Sequence, residues 1–195
     1  MLIQPFKSII RRFRNDTRGS VSVEAAIMFP GLFFALMATA IMFDVYRARS
    51  TTEKAAFAIS DMLARETAAV DQDYIDGMHK LFGEISTLRS EHDLVVSLVS
   101  WDLNTNDYRL EWSHAAGGIS GHTSASLPDL ADNLPTLVPG ESLIVVQSLS
   151  VYDPPVKILK SWWGDWGQHQ WTGLNMNTFV FTRPRFVSTL AWADT

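Results

Sequence analysis

The run Ala25–Phe43 (AAIMFPGLFFALMATAIMF) is nineteen residues long and carries no charge. At 1.5 Å of rise per residue it makes a helix about 28 Å long, close to the ~30 Å hydrocarbon thickness of a bilayer. An ionised side chain at midspan would cost on the order of 3 kcal/mol, and the run has none. No face of it is polar, so it does not read as the core helix of a soluble domain. Val21 and Val23 extend it toward the N-terminus, and Pro30 inside it removes one backbone hydrogen bond and predicts a bend. The expectation is a single membrane-spanning helix.

What precedes the run is basic. Residues 1–19 hold Lys7, Arg11, Arg12, Arg14 and Arg18 against Asp16, a net of +4, while the whole chain has a net charge of −5. The remainder therefore carries an excess of nine acidic charges. A basic stub ahead of an apolar helix favours a cytoplasmic N-terminus, and Arg47, Arg49 and Lys54 beyond it soften the contrast without reversing it. An acidic body has little to displace counterions from phosphates, so no nucleic-acid partner is expected. The competing reading is a cleaved secretory signal, because Ala38-Thr39-Ala40 has small-x-small spacing. Against it, the apolar run continues through Ile41, Met42 and Phe43, and Glu24 stands at its front.

The remaining residues read as an α+β head. From Val45 to about Ala69, Ala48, Ala55, Ala56, Ile59, Met62 and Leu63 recur at helical steps, and Asp61 and Arg65 form an i,i+4 pair. A second helix is expected over Asp73–Leu88, with Tyr74, Met78, Leu81, Phe82 and Ile85 on one side. Leu94–Trp101 and Tyr108–Trp112 read as a hairpin turning at Asn104–Asp107. Residues 113–126 read as a Gly/Ser-rich loop, followed by a short helix or turn around Pro128–Leu134. Strands are expected at Leu143–Val151 and about Asn177–Phe186. This divides the chain into a leader (1–19), a spanning helix (20–44), a membrane-proximal amphipathic helix (45–70) and a head with a small antiparallel sheet (71–195).

Little in the chain points to catalysis. It has no cysteine, which excludes disulfides, thiolate chemistry and cysteine-ligated zinc. His79, His92, His114, His122 and His169 show no metal-ligand spacing, and His114 and His122, flanking one loop, read as surface residues. Gly117–Gly121 (GGISG) fits neither a nucleophile elbow nor a phosphate loop. No enzyme activity, cofactor, metal or small-molecule substrate is expected. Trp162, Trp163, Trp166 and Trp171 crowd one segment, where they read as core over the sheet, as a protein-contact surface, or as a sugar- or lipid-facing patch.

Gly19 followed after four residues by Glu24 and a long apolar helix resembles the processing site of prepilin-like proteins of type IV pilus systems. The string Arg18-Gly19-Ser20-Val21-Ser22-Val23-Glu24-Ala25-Ala26-Ile27-Met28-Phe29-Pro30-Gly31-Leu32 is similar to TadE-like proteins of the tight-adherence (Flp pilus) machinery. The likeness covers about residues 14–56. Gly140–Val146 and Arg183–Phe186 also look similar to strand segments of longer TadE/TadG-type proteins. The resemblance implies a minor pilin or pseudopilin of the bacterial inner membrane with a periplasmic head. It implies a prepilin peptidase cutting between Gly19 and Ser20, other pilus-system proteins as partners, and Glu24 guiding subunit packing. Ala25 stands where Flp pilins commonly carry an aromatic residue. Two further readings stay open: an uncut anchored envelope protein binding a partner through the tryptophan segment, and a secreted enzyme freed at Ala40.

Overall fold

The computed structural model describes residues 20–86, 91–152 and 174–193. It divides into two compact units between Phe43 and Asp44. Helix α1 (Ser20–Arg65) belongs to both, and Pro30 lies inside it without ending it.

Within the second unit, α1 buries Thr52, Ala55, Ala56, Ile59, Ser60, Leu63 and Ala64. The expected stripe is thus partly corrected. Ala48 is only half-buried and Met62 is 41% exposed, because the buried face centres on the Thr52–Ala56–Leu63 line and leaves Met62 on its rim. The helix also stops at Arg65 rather than Ala69. Glu66 turns the chain there, accepting from the Thr67 and Ala68 amides at 3.0 and 3.2 Å.

Helix α2 (Gln72–Ser86) starts where Asp71 accepts the Tyr74 amide at 2.9 Å, an N-cap bond to the third helical residue. It turns Ile75, Met78 and Phe82 inward at three- and four-residue spacing. At its other end the Ser86 carbonyl takes the Thr51 hydroxyl of α1 at 2.9 Å, which satisfies a carbonyl the helix itself cannot.

Strands β1 (His92–Asp102) and β2 (Asp107–Ala116) form the expected hairpin. Asn106 adopts the left-handed conformation at the turn (φ 53°), which asparagine tolerates well. β2 runs on to Ala116, so Ser113–Ala116 are strand rather than loop. Helix α3 (Leu127–Ala131) follows, then β3 (Ser142–Tyr152), which pairs antiparallel with β1 on the side away from β2. Two short strands, β4 (Leu174–Asn175) and β5 (Thr178–Thr182), pair antiparallel with the far side of β3. Arg183–Phe186 lies outside the strand, a correction to the expected Asn177–Phe186 element.

Because β1 and β3 lie inside the sheet, both of their faces need cover. Leu94, Val96, Leu98, Ile144, Val146 and Val180 pack against Ile59, Leu63, Ile75 and Phe82 of the two helices. On the opposite face Val99 and Val145 meet Leu127 and Leu130 of α3, with Phe179 partly buried beside them. The α+β class is as expected: a long apolar N-terminal helix followed by a small antiparallel sheet.

Candidate membrane segment and the closure of the head

In the first unit, every large apolar side chain from Val21 to Leu36 that the helix presents is at least 47% exposed, including Ile27, Phe29, Leu32 and Phe34. α1 is, among the described residues, the one helix long and apolar enough to cross a membrane, and none of its apolar window is buried. Such a surface is stable only when covered by lipid or by other apolar surfaces. The polar hydroxyl within the run is already satisfied: Thr39 donates to the Ala35 carbonyl at 2.9 Å, one turn back. That arrangement keeps a hydroxyl tolerable in hydrocarbon.

Glu24 sits on this helix, exposed, in its second turn. Ser20 is the first helical residue. Gly19 and the basic leader lie outside the described residues, as do Trp162, Trp163, Trp166, Trp171 and His169. Of the sequence-predicted site residues, Ser20 and Glu24 are the described ones, four positions apart on α1.

The structure also closes the head with a segment whose docking partners no local pattern identifies. Residues 183–193 form a strap over the end of α1 and the start of α2. The Arg185 amide donates to the Ala64 carbonyl at 2.8 Å, capping an open carbonyl in the last turn of α1. Asp61 pairs with Arg65 at 2.8 Å, as its spacing predicts, and also with Arg185 at 2.7 Å. Arg183 reaches Glu141 at 2.8 Å. Farther along, the Trp112 indole donates to the Leu190 carbonyl at 2.9 Å. Val70 and Trp192 form an isolated parallel bridge, the Val70 amide donating to the Ala191 carbonyl and the Ala193 amide to the Val70 carbonyl. Trp192 lies flat on His114, ring centroids 3.3 Å apart. A signal for this existed in the chain, namely Leu190 and Trp192 beyond the last strand, but nothing local says where they dock.

The histidines are placed by packing. His114 is half-buried in β2 under Trp192, and His122 is half-buried and bonded to Ser126 and to Gln147 of β3. Neither is the surface residue expected. His79 hydrogen-bonds the His92 carbonyl at 2.8 Å, and their rings lie tilted by 35° with centroids 4.6 Å apart. Among the described residues no group of three or more His, Asp or Glu could hold a metal ion.

A shallow depression of about 420 Å³ lies at the hairpin end of the sheet, lined among others by Asp102, Arg109, Glu111, Glu141 and Thr189. Its charges are engaged with neighbours: Ser100 donates to Glu111 at 2.6 Å, Arg109 lies 3.7 Å from Glu111, and Glu141 holds Arg183. The Ser100–Glu111 contact is solvent-exposed.

Glu66 and Tyr74 are shifted. The Ala68 and Thr67 amides that hydrogen-bond Glu66 hold its carboxyl below the usual carboxylate range. Burial, and then the Glu66 charge, push the Tyr74 hydroxyl up. Both belong to the turn between the helices rather than to a reactive centre.

No protein-family model, curated protein sequence or solved structure matches this chain.

Proposed function

We propose that this chain is a single-pass bacterial inner-membrane protein, N-terminus in the cytoplasm and α+β head in the periplasm. It serves as a TadE-like minor pilin or pseudopilin in assembly of an Flp-type adhesion pilus. The observation that carries the reading is the bare, uncharged helix surface from Ala25 to Phe43, fronted by Glu24 and preceded by five basic residues. A surface of that length suits a bilayer, and the charge ahead of it favours this orientation. Cleavage between Gly19 and Ser20 would make Glu24 the fifth residue of the mature chain. A carboxylate in apolar surroundings is costly unless a cation meets it, and the new amino group of a neighbouring subunit is such a cation. The head then acts by binding other pilus-system proteins, and no chemistry is assigned to it.

A secreted head freed after Ala40 is the second reading, favoured by the Ala38-Thr39-Ala40 spacing alone. Against it, the apolar run continues past Ala40 through Ile41, Met42 and Phe43. N-terminal sequencing of the mature protein separates the readings. Ser20 at the start supports the pilin, Ile41 the secreted head, and an intact leader the plain anchor. Within the pilin reading, Glu24→Ala inserts normally yet loses filament output. Normal piliation in that variant would remove the role given to Glu24.

A further inference from the structure

Three aromatic rings meet where the strap crosses β2 near its end. Trp192 lies on His114 with its plane only 4° from parallel and the ring centroids 3.3 Å apart. Trp112, two residues earlier on the same face of β2, touches both rings. Its centroid is 5.4 Å from that of Trp192 and 6.1 Å from that of His114. Backbone bonds flank the stack: Trp112 holds the Leu190 carbonyl on one side, and Val70 bridges Ala191 and Ala193 on the other. His114 and Trp192 are both half-buried, so water still reaches them.

Imidazole is the side chain that ordinarily gains a charge between pH 5 and 8. A cation within about 6 Å of an indole face is attracted by the ring quadrupole. The groups around His114 favour that charge. Its same-face neighbours on β2 are Trp112 and Ala116, and Val96 of β1 stands opposite it. The strap from Leu190 to Ala193 is uncharged. The turn before α2 and the first half of α2 carry acids: Glu66, Asp71, Asp73 and Asp76. The Gln72 amide donates both to Asp76 at 2.9 Å and to the Ala115 carbonyl, next to His114, at 3.0 Å. Lys80 is exposed one turn beyond Asp76, and His79 holds the His92 carbonyl. Partial burial opposes the charge, but with water still in contact that penalty is small beside the ring face and the acids.

We propose that His114 is an acid-set latch: when its imidazole takes a proton from solvent, its hold on Trp192 strengthens and the strap closes more firmly over α1 and α2. The sign follows from linkage. A proton bound more tightly with the strap closed than open favours closure below the free-imidazole range of about pH 6.5. The gain is lost as pH rises through the titration of the closed form. An open strap uncovers Trp112 and the Ala64 and Val70 carbonyls, so the surrounding pH sets how often that surface is presented. The latch belongs to the head alone and stands whether or not the leader is cut.

The Ala193 amide, bonded to the Val70 carbonyl, reports closure directly. Hydrogen exchange is followed by NMR on the full-length chain in detergent micelles and corrected for the intrinsic pH dependence of exchange. Protection of that amide should be about three- to tenfold higher at about pH 5.5 than at about pH 7.5. Equal protection, or less at the lower pH, overturns the proposal. His114→Gln should remove the difference, and a difference that persists in full assigns the proton to another group and also overturns it. Should His114→Gln not fold, the ring of His114 in the unaltered chain decides. A titration midpoint above the ~6.5 of a free imidazole supports the latch, and one at or below that value overturns it.

Discussion

The Tyr152 hydroxyl, at the end of β3, donates a hydrogen bond to the carboxylate of Asp44, the first charged residue after the uncharged run of α1. Tyr152 is 6% exposed and 108 residues away in sequence, so this bond fixes the start of the helix's head-facing portion against the sheet. Removing the hydroxyl removes a hydrogen bond to a charged group, typically worth about 1.5–3 kcal/mol. Tyr152→Phe should lower the melting temperature of the full chain in detergent by several degrees. An unchanged melting temperature would mean that water serves Asp44 equally well.

The strap separates two kinds of contact. Arg185→Ala breaks an ion pair between half-exposed partners, which costs about 1 kcal/mol or less. Leu190→Ala empties a site 1% exposed, which costs about 2–5 kcal/mol. Urea unfolding of both variants should therefore rank Leu190 well above Arg185. The reverse order would show that the strap is held electrostatically.

Gly117 joins β2 to the following loop with φ +111°, and a Cβ there would lie 2.2 Å from an Asp93 carboxylate oxygen and 3.1 Å from its backbone. Asp93 cannot simply swing away, because it accepts the Gly118 amide at 2.6 Å. Gly117→Ala combines backbone strain with this clash and should cost about 1–3 kcal/mol. The same change at Gly77, where open space surrounds the new methyl, should be neutral or slightly stabilising.

Glu66 gives the head a pH dependence of known sign. Its carboxyl is held lower in the folded chain than in the unfolded one by the Ala68 and Thr67 amides. The resulting stability is present above the unfolded pKa and is lost as pH falls through the folded one. The stability difference between the parent chain and Glu66→Gln should therefore shrink as pH drops into the acid range. Tyr74 works at the other end: its raised pKa keeps the hydroxyl protonated, so ionisation above about pH 10 weakens the fold. A difference that stays constant on acidification would show that the Glu66 carboxylate is not what holds the turn.

Where a segment's structure depends on its own residues, the sequence by itself was decisive. The uncharged stretch before Asp44 needs no partner residue to specify a long apolar helix, and the α2 stripe, the Asn104–Asp107 turn and the β-branched run of β3 carry their own periodicity. The C-terminal strap had no such local signal. Leu190 is buried and Arg183–Phe186 leaves strand form because residues far off in sequence, such as Glu141, Trp112 and Asp61, supply their partners, and those pairings arise only once the chain has folded. The same cause placed β3 beside β1 and buried both faces of the central strands. Patterns along a chain encode which surfaces must be covered, and tertiary structure alone decides which surface covers which.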